Sequence, residues 1–355
     1  MHMTSNLKLN ILVLGVGGNI SQGILKALHK SKLDCRVIGA CVTPYALGLY
    51  TTDMAYVSPY ANDPKFVEWL YDICQKEHVD AVLTGVEEIL TLLAVHKENL
   101  RQKTGAVCIV SDSVQLLIGD DKLLTCQWLK QNGFNYPEFA DCSDALAVNQ
   151  LIEAVGFPLV VKPRKGKSSL KVYIIRCQED LERLSIQSGY VVEQYLGTED
   201  TEYTVRCFCD KQGDVKGSIV MKRRLFCGTT SWAEVEDCDP VRQEAERIVA
   251  KLKPMGPCNV QMRVAGDKAI CFELNIRFSG TTPIRAHFGF NDVDMALRHF
   301  ILNESIGQLP KISSGIAVRY WNEVYVDPQA FGELVKKGNL DPRAYKTSLE
   351  NYGEN

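Results

Sequence analysis

The chain has 355 residues, enough for two or three domains with cores of their own. A hydrophobic content of 46% and a charged content of 23% are those of an ordinary globular protein, and the formal net charge of -3 excludes a global basic field, so any polyanion must be recognised locally. No apolar run approaches the roughly 20 residues of a bilayer-spanning helix, and the opening MHMTSNLKLN lacks the basic-then-apolar order of a signal peptide, which predicts a cytoplasmic protein with neither nucleic acid nor membrane as partner.

The first stretch alternates short apolar strands with helices. LNILVLG ends in Gly15, NISQGILKALHK has helical spacing, CRVIGACV is a strand, PKFVEWLYDICQKE is an amphipathic helix, and VDAVLTG and AVCIV are two further strands. This alternation predicts a parallel, Rossmann-like sheet with ligands beyond the C-terminal ends of its strands. The turn GVGGNI, from Gly15 to Ile20, could bring backbone N–H groups to a phosphate, yet it is not the full G-x-G-x-x-G. Ala40, Cys41 and Val42 end the second strand, where a ribose-binding acid would stand, so a tight scaffold turn is favoured over a dinucleotide site.

A different rhythm follows. DDKLLTCQWLKQNGF predicts a helix ending at Gly133, Pro137 opens an extended link, and a helix near SDALAVNQLIEAVGF leads to the strand PLVVKP, the polar loop KGKSS, the strand LKVYIIR, a helix near QEDLERLS and the strand YVVEQYL. From Thr201 the strands are longer and consecutive, EYTVRCFCD and DVKGSIVMKRR, followed by a helix at PVRQEAERIVAKL. NVQMRVAG and KAICFELNIR predict a hairpin turning at Gly266 and Asp267. The polar tail after Leu340 reads as loosely held. Thirteen scattered cysteines read as buried reduced thiols. Cys207 and Cys209 share a strand face without a second pair nearby, and the six histidines form no metal pattern.

Four stretches can carry chemistry. In PLVVKPRKGKSSLKVY a strand delivers Lys162 and a loop with Gly166, Ser168 and Ser169 follows; a strand-borne lysine can neutralise a phosphate while small residues let amides close over it, the alternative being a solvated basic hairpin. In VVEQYLGTEDTEYTV the backbone of Glu193, Gln194, Tyr195 and Leu196 could pair with an adenine edge and Glu202 could take ribose hydroxyls, or the stretch is an acidic turn between strands. CFELNIRFSG, read as a strand, puts Glu273, Asn275 and Arg277 on one face and Leu274, Ile276 and Phe278 on the other, with Gln261 beside the first two. Three oxygen donors without sulfur or imidazole suit a hard ion such as Mg2+ that shares its shell with phosphates; the bland reading is a polar face laced by salt bridges. Lastly, Arg285 follows the small-residue loop Ser279 to Pro283 and could clamp a substrate carboxylate through two parallel hydrogen bonds, or cap or salt-bridge a surface helix, with Lys222 and Arg223 as the next clamp candidates.

In their order, Lys122, Lys162, the Glu193 segment, Glu202, Gln261 and the Glu273, Asn275, Arg277 strand resemble the ATP-grasp superfamily, in its carbamoyl-phosphate-synthetase-like, carboxylate-amine ligase branch. The resemblance extends to about Tyr325. FELNIRFSG resembles that branch's metal-binding strand of form E-x-N-x-R, and Gln261 matches a glutamine that helps bind metal there. The resemblance implies a mixed α/β and α+β fold: a Rossmann-like pre-ATP-grasp domain (1–112), then a two-part ATP-grasp domain with a small subdomain (113–196) and a large subdomain with C-terminal tail (197–355). It implies that Lys122 and Lys162 contact ATP phosphates, with Ser168 and Ser169 in the phosphate loop, that Glu193 to Leu196 hold adenine, and that Glu202 holds ribose. Gln261, Glu273 and Asn275 would bind one or two Mg2+, with Mn2+ as a substitute, and Arg277 would stabilise the transferred phosphoryl group. Lys171 stands where the family commonly has glycine, so loop closure or phosphate geometry departs from the pattern. The implied activity is an ADP-forming ligase that activates a small-molecule carboxylate as an acyl phosphate for an amine or other nucleophile; a homodimer is compatible with it. Two rivals are a nicotinamide-dependent oxidoreductase built on the first domain, which leaves the 261–277 hairpin unexplained, and a nucleotide-binding ATP-grasp protein without turnover, suggested by the glycine-poor loop.

Overall fold

The computed structural model describes residues 8–166, 171–184, 188–307, 309, 311–320 and 322–349. The chain forms two compact units. One comprises Met1–Ser113, Arg277–Ile312 and Tyr320–Asn355, the other Val114–Ile276 and Ser313–Arg319.

The first unit opens with β1 (Leu9–Leu14), α1 (Asn19–His29), β2 (Cys35–Cys41), β3 (Met54–Val57), α2 (Phe66–Lys76), β4 (Ala81–Thr84), α3 (Glu87–Thr104) and β5 (Val107–Cys108). These five strands form the expected parallel Rossmann-like sheet, ordered β3-β2-β1-β4-β5. The turn after β1 requires glycine. Gly15 has φ +70°, and a Cβ there would come within 2.4 Å of Val86 Cγ2.

The second unit contains α4 (Ser113–Asp120), all but its first residue, α5 (Lys122–Gln131), β6 (Phe139–Asp141), α6 (Ala145–Val155), β7 (Leu159–Pro163), β8 (Tyr173–Ile175), α7 (Gln178–Arg183) and β9 (Tyr190–Gln194). Its antiparallel sheet β6-β9-β7-β8 closes over a small core of Ala140, Val148, Leu151, Leu159, Val161 and Val192. Then come β10 (Glu202–Cys209), β11 (Val215–Phe226), β12 (Thr229–Val235), α8 (Asp239–Leu252), β13 (Gly256–Ala265) and β14 (Lys268–Asn275). With β15 (Gly315–Val318) they make a six-stranded sheet, β14-β13-β10-β11-β12-β15. Val241, Ala245, Ile248, Val249 and Leu252 line one stripe of α8, which buries it against Val205, Cys207, Val220, Val260 and Leu274 on one sheet face. The opposite face carries the polar residues of the candidate site.

The hairpin of β13 and β14 turns at Gly266 and Asp267 as expected, with Gly266 at φ +64°. Its register places Gln261 opposite Glu273 and Asn259 opposite Asn275. Strict alternation fails in one place. Glu273 pairs with Gln261 but Cys271 with Met262, which leaves Phe272 as the extra residue of a bulge. Pairing stops at Asn275, so Arg277 lies past the strand's end and belongs to the first unit.

Of the residues after Ile276, Arg277–Ile312 and Tyr320–Asn355 group with the first unit and Ser313–Arg319 with the second. The short helices α9 (Thr282–His287) and α10 (Asp292–Ala296) pack on α1. After β16 (Val324–Val326) and α11 (Pro328–Lys337), β17 (Asn339–Leu340) pairs antiparallel with β3 as a sixth strand, and β18 (Thr347–Leu349) pairs with β16. The chain between 324 and 349 is therefore tied into sheets. Among the described residues no helix is long and apolar enough to cross a membrane.

Candidate active site

Lys162 is not a solvated hairpin lysine. Its Nζ lies 2.7 Å from Glu193 Oε2, with 8% and 3% of the two side chains exposed, and it also donates to the Phe272 carbonyl of β14 at 3.4 Å. The register of β7 and β9 explains the pair, since Glu193 faces Val160 and so shares the Lys162 face. Burial pushes the Lys162 ammonium down, but Glu193 above all outweighs it and holds the lysine above its ordinary value. Burial raises the Glu193 carboxyl, a shift Lys162 opposes. The Cys126 thiol donates to Glu193 Oε1 at 3.7 Å; burial and the Glu193 charge push it well above the ordinary thiol range, which makes it an inert thiol and not a nucleophile. The sequence reading gave Glu193 a backbone role and missed its side chain as the counter-ion of Lys162.

Lys122 is the first residue of α5, whose N-cap Asp121 accepts from the Leu123 and Leu124 N–H groups. Asp121 also holds Arg164 at 2.7 Å, and Arg164 reaches Asp141 at 3.1 Å. This cluster ties the start of α5 to the segment leaving β7, where Lys122 Nζ donates to the Gly166 carbonyl at 3.2 Å. Ser168 and Ser169 lie outside the described residues. Lys171 adopts φ +59°, the left-handed conformation that glycine adopts freely.

The backbone from Glu193 to Leu196 is partly committed. Gln194 N–H donates to the Glu138 carbonyl and Tyr195 N–H to the Pro158 carbonyl, while the Leu196 N–H has no hydrogen-bond partner among the described residues. The Leu196 carbonyl accepts from Arg263 Nη1 at 3.0 Å, and the same guanidinium lies 5.3 Å from the Tyr195 ring centroid. Phe272 sits between two cations, its ring 5.5 Å from Lys162 Nζ and 5.9 Å from the Arg263 guanidinium.

Glu202, the expected ribose residue, is held within the protein by two arginines. Its Oε1 accepts from Arg223 Nε and Nη2 at 2.9 and 2.7 Å, and its Oε2 from Arg263 Nε and Nη2 at 3.1 and 2.9 Å. With 5% of the residue exposed, this carboxylate is an internal ion-pair partner, both of its oxygens engaged by guanidinium N–H groups. Arg223 continues the network by donating to Gln261 Oε1 at 2.6 Å; Gln261 Nε2 donates to Glu273 Oε1 at 3.2 Å, and Asn275 Nδ2 to the same oxygen at 2.9 Å. Burial pushes the Glu273 carboxyl up, but Lys122, Lys162, the Asn275 amide and Arg223 together overcome it and hold it below the ordinary glutamate value.

These donors fit a hard divalent cation. Gln261, Glu273 and Asn275 converge from two adjacent strands and Glu273 is kept ionised; turning the Asn275 amide would aim its oxygen instead of its nitrogen at the same point, while the Gln261 oxygen is engaged by Arg223. Among the described residues no three histidines, cysteines or carboxylates could hold a metal together.

The two other arginines behave differently. Arg277 pairs with Glu87 of α3 and donates to the Phe278 carbonyl. Arg285 is fully buried. Its guanidinium binds the hydroxyls of Ser279, Thr281 and Thr282 and pairs with Asp292 at 3.3 Å, so it locks the loop around itself and is closed to solvent, where the sequence reading expected a carboxylate clamp or a surface salt bridge.

Three family models match the chain: "PylC-like, N-terminal domain" over residues 11–109, "RimK-like ATP-grasp domain" over 119–224, and "ATP-grasp in the biosynthetic pathway with Ter operon" over 188–324. The carbamoyl phosphate synthase large chain of Methanosarcina barkeri is 23% identical over 306 residues, 78% of this chain but 28% of that one, so the chain spans little more than a quarter of such relatives. A D-alanine–D-alanine ligase of Clostridium botulinum is 24% identical over 194 residues, 50% of this chain and 59% of the ligase. In fold the chain resembles the N5-carboxyaminoimidazole ribonucleotide synthetase of Thermus thermophilus, with a TM-score of 0.70, 17% identity, and coverage of 92% of this chain and 86% of that one. It also resembles the biotin carboxylase domain of the Hydrogenobacter thermophilus 2-oxoglutarate carboxylase, solved with MgADP, ADP and bicarbonate, with a TM-score of 0.67, 15% identity, and coverage of 91% and 76%. The Rossmann-like unit, the two antiparallel sheets of the second unit and these matches agree: the chain belongs to the ATP-grasp superfamily, in its carbamoyl-phosphate-synthetase-like, carboxylate-amine ligase branch.

Proposed function

We propose that the protein is an ATP-dependent ligase that activates a small-molecule carboxylate as an acyl phosphate, releasing ADP, and passes the acyl group to an amine or other nucleophile with release of phosphate. The observation that carries this reading is the convergence, within the second unit, of the strand lysine Lys162 on β14 beside Glu273, Gln261 and Asn275. A fixed cation next to hard oxygen donors is an arrangement for a metal-bound triphosphate.

In this reading a substrate carboxylate oxygen attacks the γ-phosphorus while the bond from that phosphorus to the β–γ bridging oxygen breaks and ADP leaves. The nucleophile then adds at the acyl carbon, the carbon–oxygen bond to phosphate breaks, and the proton of the nucleophile leaves with water or phosphate. Mg2+, held through Gln261, Glu273 and Asn275, supplies charge neutralisation and alignment of the phosphates when bound. Lys122 and Lys162 hold phosphate oxygens, and the Leu196 N–H, which has no partner among the described residues, is suited to an adenine ring nitrogen. Arg277 is the candidate for the transferred phosphoryl group. Positioning and electrostatics suffice for this chemistry, so no protein nucleophile is required.

The test is a screen for ADP release over carboxylate and amine pairs with mass spectrometry of the product. ADP release that needs one acid and one nucleophile is the expected result. Saturable binding of NAD(H) in preference to ATP would favour the oxidoreductase reading, and ATP binding without ADP release under every pair would favour a protein that binds nucleotide without turnover.

A further inference from the structure

A carboxylate has about four lone-pair sites, and Glu202 fills them with four guanidinium N–H groups, two from Arg223 and two from Arg263. A ribose hydroxyl could be accepted only by expelling one of these charge-assisted bonds from a site that is almost closed to solvent. What the two arginines touch at their other ends is informative. Arg263 donates to the Leu196 carbonyl and lies against the rings of Tyr195 and Phe272, while Arg223 donates to Gln261, one of the three candidate metal donors.

We propose that Glu202 is a positioning residue, an internal counter-ion that fixes Arg263 against the adenine-facing segment and Arg223 against Gln261, so that one buried carboxylate sets both ends of the nucleotide site. This rests on the nucleotide reading above and assigns Glu202, Arg223 and Arg263 roles within it. The strand register prepares the arrangement. Glu202 stands directly opposite Arg263 across β10 and β13, and Arg223 follows the Tyr203–Lys222 pair on the other side of β10. A guanidinium whose fork is held by a carboxylate loses little freedom when it makes a further bond, and this is what lets Arg263 hold the Leu196 carbonyl in one place.

Isothermal titration of ATP, 2′-deoxy-ATP, 3′-deoxy-ATP and GTP with Mg2+ present, on the parent, Glu202→Gln and Arg263→Gln, separates this role from a ribose contact. Glu202→Gln is expected to weaken the three adenine nucleotides by one common factor, on the order of tenfold, leaving their ratios as in the parent. Loss of discrimination between ATP and its deoxy forms in Glu202→Gln would make Glu202 a ribose acceptor, and unchanged ATP affinity would make it a bystander; either overturns the proposal. Arg263→Gln keeps Glu202 paired with Arg223 and carries the test if Glu202→Gln does not fold: it should narrow the preference for ATP over GTP with the ribose ratios intact, and an unchanged preference overturns the proposal. A folded parent that binds none of the four nucleotides refutes the nucleotide reading itself, and this assignment with it.

Discussion

Lys162→Met is the sharpest perturbation available, because it removes one member of a buried ion pair and leaves the other. Lys162 and Glu193 are 2.7 Å apart with both side chains almost closed to solvent. Breaking such a pair from one side costs about 3–5 kcal/mol, which for a unit of this size is on the order of 10 °C in Tm. The loss should depend on pH, with a definite sign. Burial raises the Glu193 carboxyl and Lys162 opposes that rise, so without the lysine the folded-state value climbs further above an unfolded value of about 4.3. A carboxyl raised by folding binds more protons in the native state, so the variant's stability falls as pH rises from the unfolded value towards the raised one, by at most about 1.4 kcal/mol per pH unit. Urea unfolding followed by circular dichroism at about pH 6 and about pH 8 should therefore find Lys162→Met further from the parent at the higher pH. Adding Glu193→Gln removes the stranded charge and should recover part of the loss. If Lys162→Met unfolds with the parent at both pH values, or if Glu193→Gln only adds further destabilisation, the pair does not have the energetic role its geometry assigns. The double variant is also the clean background for ATP affinity: a phosphate contact by Lys162 requires that it bind ATP weakly while folded, and that Lys162→Arg keep part of the affinity.

Glu273→Ala removes the single carboxylate among the three candidate metal donors and should abolish ADP release with a parent-like circular dichroism spectrum; near-normal turnover by a folded variant would end the metal assignment. Arg285→Ala removes a fully buried guanidinium together with its pair to Asp292 and its bonds to three hydroxyls, so it should lower stability in urea unfolding by about 3–5 kcal/mol and leave the acid's KM unmoved, whereas a raised KM at parental stability would favour the clamp. For Asp121, burial raises the carboxyl but the bonds from Arg164 and the α5 N–H groups hold it below the ordinary aspartate value, so its stabilisation is present above about pH 4 and is lost as pH falls through its lowered folded value. Asp121→Asn keeps a helix cap, gives up about 1.5–3 kcal/mol at neutral pH, and should show a shallower acid limb; an unchanged acid limb counts against the Arg164 pair.

The parts of this fold that were legible in the sequence are those set by local periodicity. Alternation in KAICFELN separates Leu274 from Glu273 and Asn275, the stripe from Val241 to Leu252 marks the buried side of α8, and Gly266 marks the hairpin turn. Among the elements of the first unit that escaped, two did so for the same reason in reverse. The strand MAYV is only four residues long, and in α3 the apolar residues run round the helix, with Leu90 and Leu93 buried and Val95 exposed, so neither gives a clean period. The site was legible as composition and illegible as pairing. Sequence displays Glu202, Arg223 and Arg263, but only the register across β10, β11 and β13 joins them, and the bulge that turns Phe272 towards Lys162 and Arg263 leaves no mark in CFELN.

The pairings also bear on how a chain with a net charge of -3 would present the proposed site to a polyanion. Around the wet face, Lys122, Lys162, Arg223 and Arg263 stand against Glu193, Glu202 and Glu273, four cations against three carboxylates, so the side chains leave one net positive charge. Each cation is held by a carboxylate or a carbonyl, in fixed positions and partly shielded from solvent. Such a site has little long-range attraction for an anion and much short-range order; in the proposed nucleotide reading, a divalent ion at Glu273 would carry the charge neutralisation and the arginines the geometry. The buried pairs are therefore better understood as orienting devices than as sources of affinity. Glu193 and Glu202 hold their cations aimed, and the one carboxylate in the network held between two amides is Glu273, which the proposed reading shares with a metal.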